Sequence, residues 1–170
     1  MKQTILALAL AALLAACGQG SAPDAAAPGS EVAAGACALV TDPDSVFGPN
    51  VQATAANDLP GTDGSCSWAS ADGLRNADLI HYTTQSLGGT TLDAQAATIT
   101  DQWTQNGVTA QTLDEVGDSA QVAAGLVGDS AQAVVRKGDH LIVVVANSGD
   151  ADLNSEAIVR QVATQAAAAL

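Results

Sequence analysis

The sequence predicts an α+β fold, in which a mainly antiparallel sheet packs with helices. Two groups of strand-like segments are separated and flanked by segments with helical apolar spacing, which gives the order helix, strands, helix, strands, helix. Turn-forming pairs such as Asp72-Gly73 and Gly138-Asp139 lie between consecutive strand-like segments and favour antiparallel neighbours. Together these segments indicate a single domain with its own core.

The first group of elements begins with a short helix. Thr41 or Asp42 can act as its N-cap, and Gly48 follows its end. Three strands are predicted after it, at residues 51–56, 65–68 and 77–84. Cys66 and Trp68 are expected on the same side of the second strand, because side chains alternate between the two faces of a sheet.

The central helix is predicted from one apolar stripe. Thr90 or Thr91 can cap its start, and Asn106-Gly107 is typical of a helix end. The spacings of four, three and four residues place the stripe on one side of the helix, and it consists of Leu92, Ala96, Ile99 and Trp103.

The second group holds four strands and the last helix. The strands are predicted at residues 108–113, 119–124, 130–137 and 140–146. The fourth is the most apolar, so we expect it at the centre of the sheet. Asp152, Asn154 or Ser155 can cap the final helix. Its apolar side consists of Ile158, Val162, Ala166 and Leu170.

A hexapeptide, Val-Gly-Asp-Ser-Ala-Gln, occurs twice, at residues 116–121 and 127–132. We interpret each Gly-Asp pair as a turn that enters a strand, since two copies are too few for a solenoid.

The block is similar to the nucleophile block of Gly-Asp-Ser-Leu esterases, and Asp78 and His81 supply an Asp-x-x-His. The blocks stand in the reverse order, however, and alanine replaces the leucine. We therefore predict no catalytic residues, and keep a weak hydrolase using Ser119 as an alternative.

The charge of the chain limits its partners. With 18 acidic and 5 basic side chains, its formal net charge is −13. Such a surface repels nucleic acid and anionic lipid headgroups, so we expect no nucleic-acid partner. Residues 88–91 have the form of a weak anion site before a helix, but a simple turn explains them. No cofactor is expected.

No metal site is expected either. Asp150, Asp152 and Asn154 resemble the start of a calcium loop, but Ser155 and Gln161 stand where that loop needs glycine and a bidentate glutamate. The two histidines, His81 and His140, lack the neighbouring ligands of a transition-metal site.

The N-terminus has the layout of a secretory signal, with Lys2 before an apolar run at residues 5–16. Leu14-Ala15-Ala16-Cys17 resembles the lipobox of bacterial lipoproteins. The resemblance implies a diacylglyceryl group on the Cys17 sulfur, cleavage before Cys17 and a stable membrane anchor. Gly18 rather than aspartate after it favours the outer membrane in a Gram-negative cell. The alternative is an ordinary signal peptide with an incidental cysteine.

Three segments follow from this reading: a signal peptide at 1–16, a lipidated cysteine with a disordered tether at 17–36, and one α+β domain at 37–170. Because Cys17 takes the lipid, Cys37 and Cys66 remain as an even pair in an oxidising compartment, and we predict a disulfide between them. The alternative is a free redox pair, for which Cys-x-x-Cys spacing is missing.

Several short motifs together resemble a family of small bacterial envelope lipoproteins that is known chiefly as a domain of unknown function. The motifs are Cys37, Phe47-Gly48, Cys66-x-Trp68, Gly117-Asp118-x-Ala120, Arg136-Lys137-Gly138-Asp139 and an alanine-rich last helix. The resemblance implies an α/β/α sandwich similar to that of PsbP, and it brings no catalytic residues.

The expected function is that of a lipid-anchored, non-enzymatic accessory or binding module of the cell envelope. Its partners would be the membrane, through the lipid on Cys17, and another envelope protein. It would face the periplasm from the outer membrane of a Gram-negative cell, and otherwise sit on the cell membrane. The alternative is a carrier with a small-ligand pocket between sheet and helices, near Ile99, Trp103 and Leu141.

Overall fold

The computed structural model describes residues 35–57, 59–149 and 154–170. The predicted signal peptide, Cys17 and most of the predicted tether lie outside the described residues. A 3-10 helix spans Gly35–Leu39, and the α-helices are α1 (Asp44–Phe47), α2 (Leu92–Gln105) and α3 (Ser155–Ala169). The strands are β1 (Gln52–Ala56), β2 (Gly64–Ala69), β3 (Arg75–Thr83), β4 (Gln111–Thr112), β5 (Ser119–Ala124), β6 (Ser130–Lys137) and β7 (His140–Ser148).

The strands form one antiparallel sheet in the order β1-β2-β3-β7-β6-β5-β4. This confirms the predicted α+β class with a mainly antiparallel sheet. The apolar strand β7 lies at the centre, as predicted, and Leu141, Ile142 and Val144 on it are fully buried. Since β7 is hydrogen-bonded on both edges and its residues 141–144 are covered on both faces, these four side chains lose almost all contact with water.

The two faces of the sheet carry separate cores. On one side, which we call the α3 face, α3, α1 and the 3-10 helix pack over Trp68, Leu79 and Val144. On the other side, the α2 face, α2 packs over Val134 and Val143 of β6 and β7. The period-two alternation along each strand produces this division.

Helix α3 begins and packs as its sequence predicts. Of the three candidate caps, Asn154 is the one used, and its side chain accepts a 2.9 Å hydrogen bond from the Ala157 amide. The apolar side of the helix is fully buried on the α3 face at Ile158, Val162 and Ala166, and Leu170 is half-buried there.

Helix α2 also follows its predicted stripe. The Thr91 side chain caps it by accepting a 3.1 Å bond from the Ala94 amide. Leu92 and Trp103 are buried at its two ends, and the Trp103 indole donates a 2.6 Å bond to Gln132 Oε1 on β6. The helix is thereby attached to one half of the sheet.

The predicted strand at residues 108–113 is much shorter in the structure, and only Gln111–Thr112 pairs with β5. The Val108 amide is taken by the Trp103 carbonyl at the end of α2, at 2.9 Å. Strand β4 therefore begins only at Gln111, and it is an edge strand that pairs with β5 alone.

The first helix is confirmed, although its N-cap position is Pro43 rather than Thr41 or Asp42. The Asp42 carboxylate still accepts a 3.3 Å bond from the Ser45 amide, so it satisfies a donor of the first turn.

The predicted disulfide between Cys37 and Cys66 is present, with the two Cα atoms 4.9 Å apart. It joins the 3-10 helix to β2 across a sequence separation of 29 residues. In the chain-entropy model, closing a loop of this length stabilises the fold by about 3.5 kcal/mol. Ala36, next to the bridge, is buried as well, so the start of the described chain is fixed to the α3 face.

Candidate functional site: the open face of the sheet

Among the described residues, helix α2 covers one half of the α2 face. It packs on β6 and β7 and reaches β3 at Tyr82, at one end of that strand. The described helices with extensive contacts to β1, β2 or β3 are α3 and the 3-10 helix, which lie on the other face. A cross-strand row runs through the uncovered half, and its members are Thr54, Ser67, Asp78 and Val145. The first three are exposed and Val145 is half-buried.

Further rows on either side of this one complete the surface. The side chains nearer one end of the sheet are Gln52, Asn76 and Asn147, and those nearer the other end are Ser65 and Ile80. We call these nine residues the open face. Most of them are short and uncharged, so they lose little rotamer freedom when another surface covers them.

Asp78 is the single charged residue of the open face. Its carboxylate accepts a hydrogen bond from the Ser67 hydroxyl across the β2–β3 ladder. The chain as a whole carries 18 acidic side chains, so a surface of this extent with one partnered carboxylate is poor in charge. Depletion of charge is typical of the central part of protein–protein interfaces.

Two shallow clefts lie elsewhere, on either side of Arg136. They measure about 160 Å³, beside Thr100 and Gln121, and about 280 Å³, beside Thr91 and Asp139. Both fall below the usual volume of small-molecule sites, which is about 300–1,000 Å³. The clefts are therefore a poor fit for a bound metabolite.

The pocket considered for a carrier would involve Ile99, Trp103 and Leu141. These three residues belong to the core beneath α2 and line neither cleft. Trp103 and Leu141 are buried by protein atoms, at 2% and 0% exposure.

Arg136 is bound within the fold through its Nε and Nη1 atoms. Its Nε lies 2.9 Å from Asp93 Oδ1 in the first turn of α2, and its Nη1 donates to the Gly138 and His140 carbonyls. The guanidinium thus ties the β6–β7 hairpin to the start of α2. The segment at 88–91 consequently faces an arginine that already has an acidic partner.

The residues of the hydrolase alternative do not converge. Ser119 lies on β5 and His81 on β3, so two intervening strands separate them by about 14 Å. Asp78 points to the opposite face of the sheet from His81 and bonds with Ser67. Ser130, in the second copy of the hexapeptide, is buried and accepts a 2.9 Å bond from the Val127 amide.

The calcium-like segment is only partly visible. Asp150 and Asp152 lie outside the described residues, while Asn154 caps α3 and the Ser155 hydroxyl donates to the Asp129 carbonyl. Within residues 35–57, 59–149 and 154–170, no three His, Cys, Asp or Glu side chains are grouped as metal ligands.

The two histidines meet, which the sequence did not indicate. His81 Nε2 and His140 Nδ1 are 2.9 Å apart at one end of the α3 face. Burial, and then the charge of His140, lowers the pKa of His81, while Asp63 opposes this shift. The signal for this contact is the β3–β7 register, which brings residues 59 positions apart into adjacent strands.

No protein-family model, curated protein or solved structure matches the chain. Over the part of the chain that the structure describes, no helix is both long and apolar enough to span a membrane.

Proposed function

We propose that the protein is a lipid-anchored, non-enzymatic module of the cell envelope that docks onto a partner protein through the open face. The observation that carries the docking is the half-covered sheet: α3 packs over one face, while on the other face the described helices leave most of β1, β2 and β3 uncovered, and Asp78 is the single charged residue of that surface.

The location rests on two features. The lipobox-like Leu14-Ala15-Ala16-Cys17 supplies the lipid anchor, and the Cys37–Cys66 disulfide fits an oxidising, extracytoplasmic compartment. The resemblance to small envelope lipoproteins of unknown function supports the same assignment. Gly18 favours the outer membrane, facing the periplasm, in a Gram-negative cell.

The shape and chemistry of the open face support a protein partner rather than a small molecule. Ligand sites for small molecules are concave, whereas this surface is a sheet face lined with short side chains such as Thr54 and Ser67. Its low charge limits the desolvation cost to one ionised group, the Asp78 carboxylate, which keeps the Ser67 hydroxyl as a hydrogen-bond donor.

Mass spectrometry of the mature protein tests the anchor. In the wild type we expect an N-terminal Cys17 bearing a diacylglyceryl group, and membrane association that is lost in Cys17→Ser. An unmodified N-terminus at Cys17 would remove the anchor from the proposal without affecting the docking surface.

Photo-crosslinking in intact cells tests the docking. A photoreactive amino acid at Thr54, on the open face, should give a discrete adduct with one envelope protein. The matched position is Thr98, which is exposed on α2, outside the open face. Addition of Asn147→Arg should weaken the Thr54 adduct, since it places a long charged side chain on the same face. Equal adducts from both positions, or none from Thr54, would contradict the docking.

A further inference from the structure

His81 and His140 are the two histidines of the chain, and both lie on the α3 face at the end of the β3–β7 ladder. The register pairs His81 with Ile142 and His140 with Thr83, so the imidazoles are diagonal neighbours. Both are half-buried. Their ring nitrogens approach to 2.9 Å, a hydrogen-bond distance.

The ring geometry shows how the two nitrogens face each other. The ring centroids are 5.1 Å apart and the planes differ by 18°. The centroid distance exceeds the 2.9 Å nitrogen distance by about two imidazole radii, so both nitrogens lie near the line that joins the ring centres. Because the two nitrogens face each other directly at 2.9 Å, their lone pairs cannot both be directed at one metal ion. A single N–H···N hydrogen bond satisfies the arrangement.

We propose that His81 and His140 form one acid-sensing unit, which accommodates a first proton within the N–H···N bond and is forced apart by a second. In the neutral pair one ring donates and the other accepts. A first added proton binds the outer nitrogen of the donor ring and strengthens the bond. A second can bind only the accepting nitrogen, which breaks the bond and sets two cationic N–H groups against each other.

Charged groups around the pair decide how the second proton is tolerated. Asp63, ahead of β2, is the nearby carboxylate that favours a charged His81, and its amide donates to the His81 carbonyl at 2.8 Å. Asp139 precedes His140 in the hairpin, and Arg136 donates to the His140 carbonyl at 3.3 Å. The Arg136 guanidinium and Asp139 line a cleft on the α2 side of the sheet, so Asp63 and Lys137 are the charged groups considered on the side of the imidazoles.

The α3 terminus is the element on which the added charge acts. Lys137 pairs with His140 across β6 and β7, and its ammonium donates a 2.6 Å bond to the Ala167 carbonyl in the last turn of α3. A doubly protonated pair adds positive charge beside Lys137, so we expect the contact between the sheet and the end of α3 to loosen.

The direction of the pH effect follows from His81. The pKa of His81 is lowered from 6.5, first by burial and then by the charge of His140. The unfolded chain therefore protonates His81 more readily than the folded chain does. The stability that comes from a neutral His81 is therefore present above about pH 6.5 and is lost as the pH falls through the lowered pKa.

An NMR titration of the isotope-labelled full-length chain tests the unit. The two imidazole Cε1–H signals should each respond to two steps, separated by at least about one pH unit, because the protons belong to the pair. In His140→Gln, the His81 signal should follow one step. Independent single steps in the wild type, with the His81 step unchanged by His140→Gln, would overturn the proposal.

Thermal unfolding gives a second readout. Between pH 7.5 and 5.5 the wild-type Tm should fall by about 2–4 °C, and the fall should shrink by at least half in His81→Gln/His140→Gln. Lys137→Gln, which removes a cation beside the pair, should reduce the fall as well. An equal fall in the wild type and in the histidine-free variant would contradict the device, and the outcome does not depend on the docking proposed above.

Discussion

The two copies of the hexapeptide have the same six residues and different surroundings. Each forms a turn and then a strand, β5 after the first copy and β6 after the second. Val116 is 9% exposed, whereas Val127, its counterpart, is 82% exposed. An identical local sequence thus determines the local conformation, but its neighbours in the fold determine which side chains are buried.

The first copy packs closely against the β6–β7 hairpin. A Cβ atom on Gly117 would lie 2.4 Å from the Arg136 carbonyl oxygen and 2.9 Å from Val135 Cγ1. The Asp118 amide donates to the same carbonyl at 2.8 Å, and its Oδ2 accepts from the Gly138 amide at 2.7 Å. The turn therefore needs both the positive φ of Gly117, 63°, and its missing side chain.

The second copy lies at the open tip of the β5–β6 loop. Gly128 has nearly the same φ, 58°, but no heavy atom would come within 4 Å of its Cβ. Here the serine is the buried member: Ser130 is 8% exposed and Ser119 is exposed. The comparison teaches that each copy has its own critical position.

The largest difference in unfolding free energy between the two copies is expected for substitutions of their glycines. Gly117→Ala should lower the free energy of unfolding by about 3 kcal/mol or more, because a backbone clash adds to left-handed strain. Gly128→Ala should lower it by about 1 kcal/mol, from the strain alone. Urea unfolding with the disulfide intact measures both. Similar losses at the two sites would mean that the close approach at Gly117 is not a constraint.

The second-largest difference in unfolding free energy is expected between substitutions of the two valines, Val116 and Val127. Val116→Ala removes two buried methyl groups from the α3-face core, and we expect a loss of about 2 kcal/mol in unfolding free energy. Val127→Ala should change it by less than about 0.5 kcal/mol, since the side chain is already in water. The urea midpoints of the two variants check this, and a comparable shift in both would show that Val127 has a packing role.

At the serines, we expect the second copy to be more sensitive to substitution than the first, the reverse of the order at the glycines and valines. Ser130→Ala deletes a buried acceptor for the Val127 amide, so we expect a loss of about 1 kcal/mol. Ser119→Ala, at an exposed position, should stay within about 0.5 kcal/mol. An ester-hydrolysis assay on the same pair separates stability from chemistry: activity lost in Ser119→Ala but retained in Ser130→Ala would revive the hydrolase alternative.

Much of the fold was predictable from local patterns. The bounds of β5 and β6 follow from turn residues, and the central place of β7 from the apolar content of that strand. The caps Thr91 and Asn154 are among the candidates offered by side-chain acceptors near the helix starts. The disulfide partners followed from cysteine parity. The strand at 108–113 was overestimated, because the hydrogen bond that holds Val108 to α2 is not a property of its own segment.

The candidate site was much less predictable. Thr54, Ser67 and Asp78 read as ordinary polar strand residues, and their common surface appears only when three strands are aligned and α2 is seen to cover the other half. The anchor at Cys17 is the converse case. It is a motif of consecutive residues, and it stays a prediction from the sequence.

The sequence by itself determined the α+β class, most element boundaries and the pairing of Cys37 with Cys66, because these depend on side-chain period, turn chemistry and the number of cysteines. Only the tertiary structure decided which hexapeptide is buried, which half of the sheet is open, and that His81 meets His140. Those outcomes depend on strand order and register, and these place residues from distant parts of the chain within a few ångströms of each other.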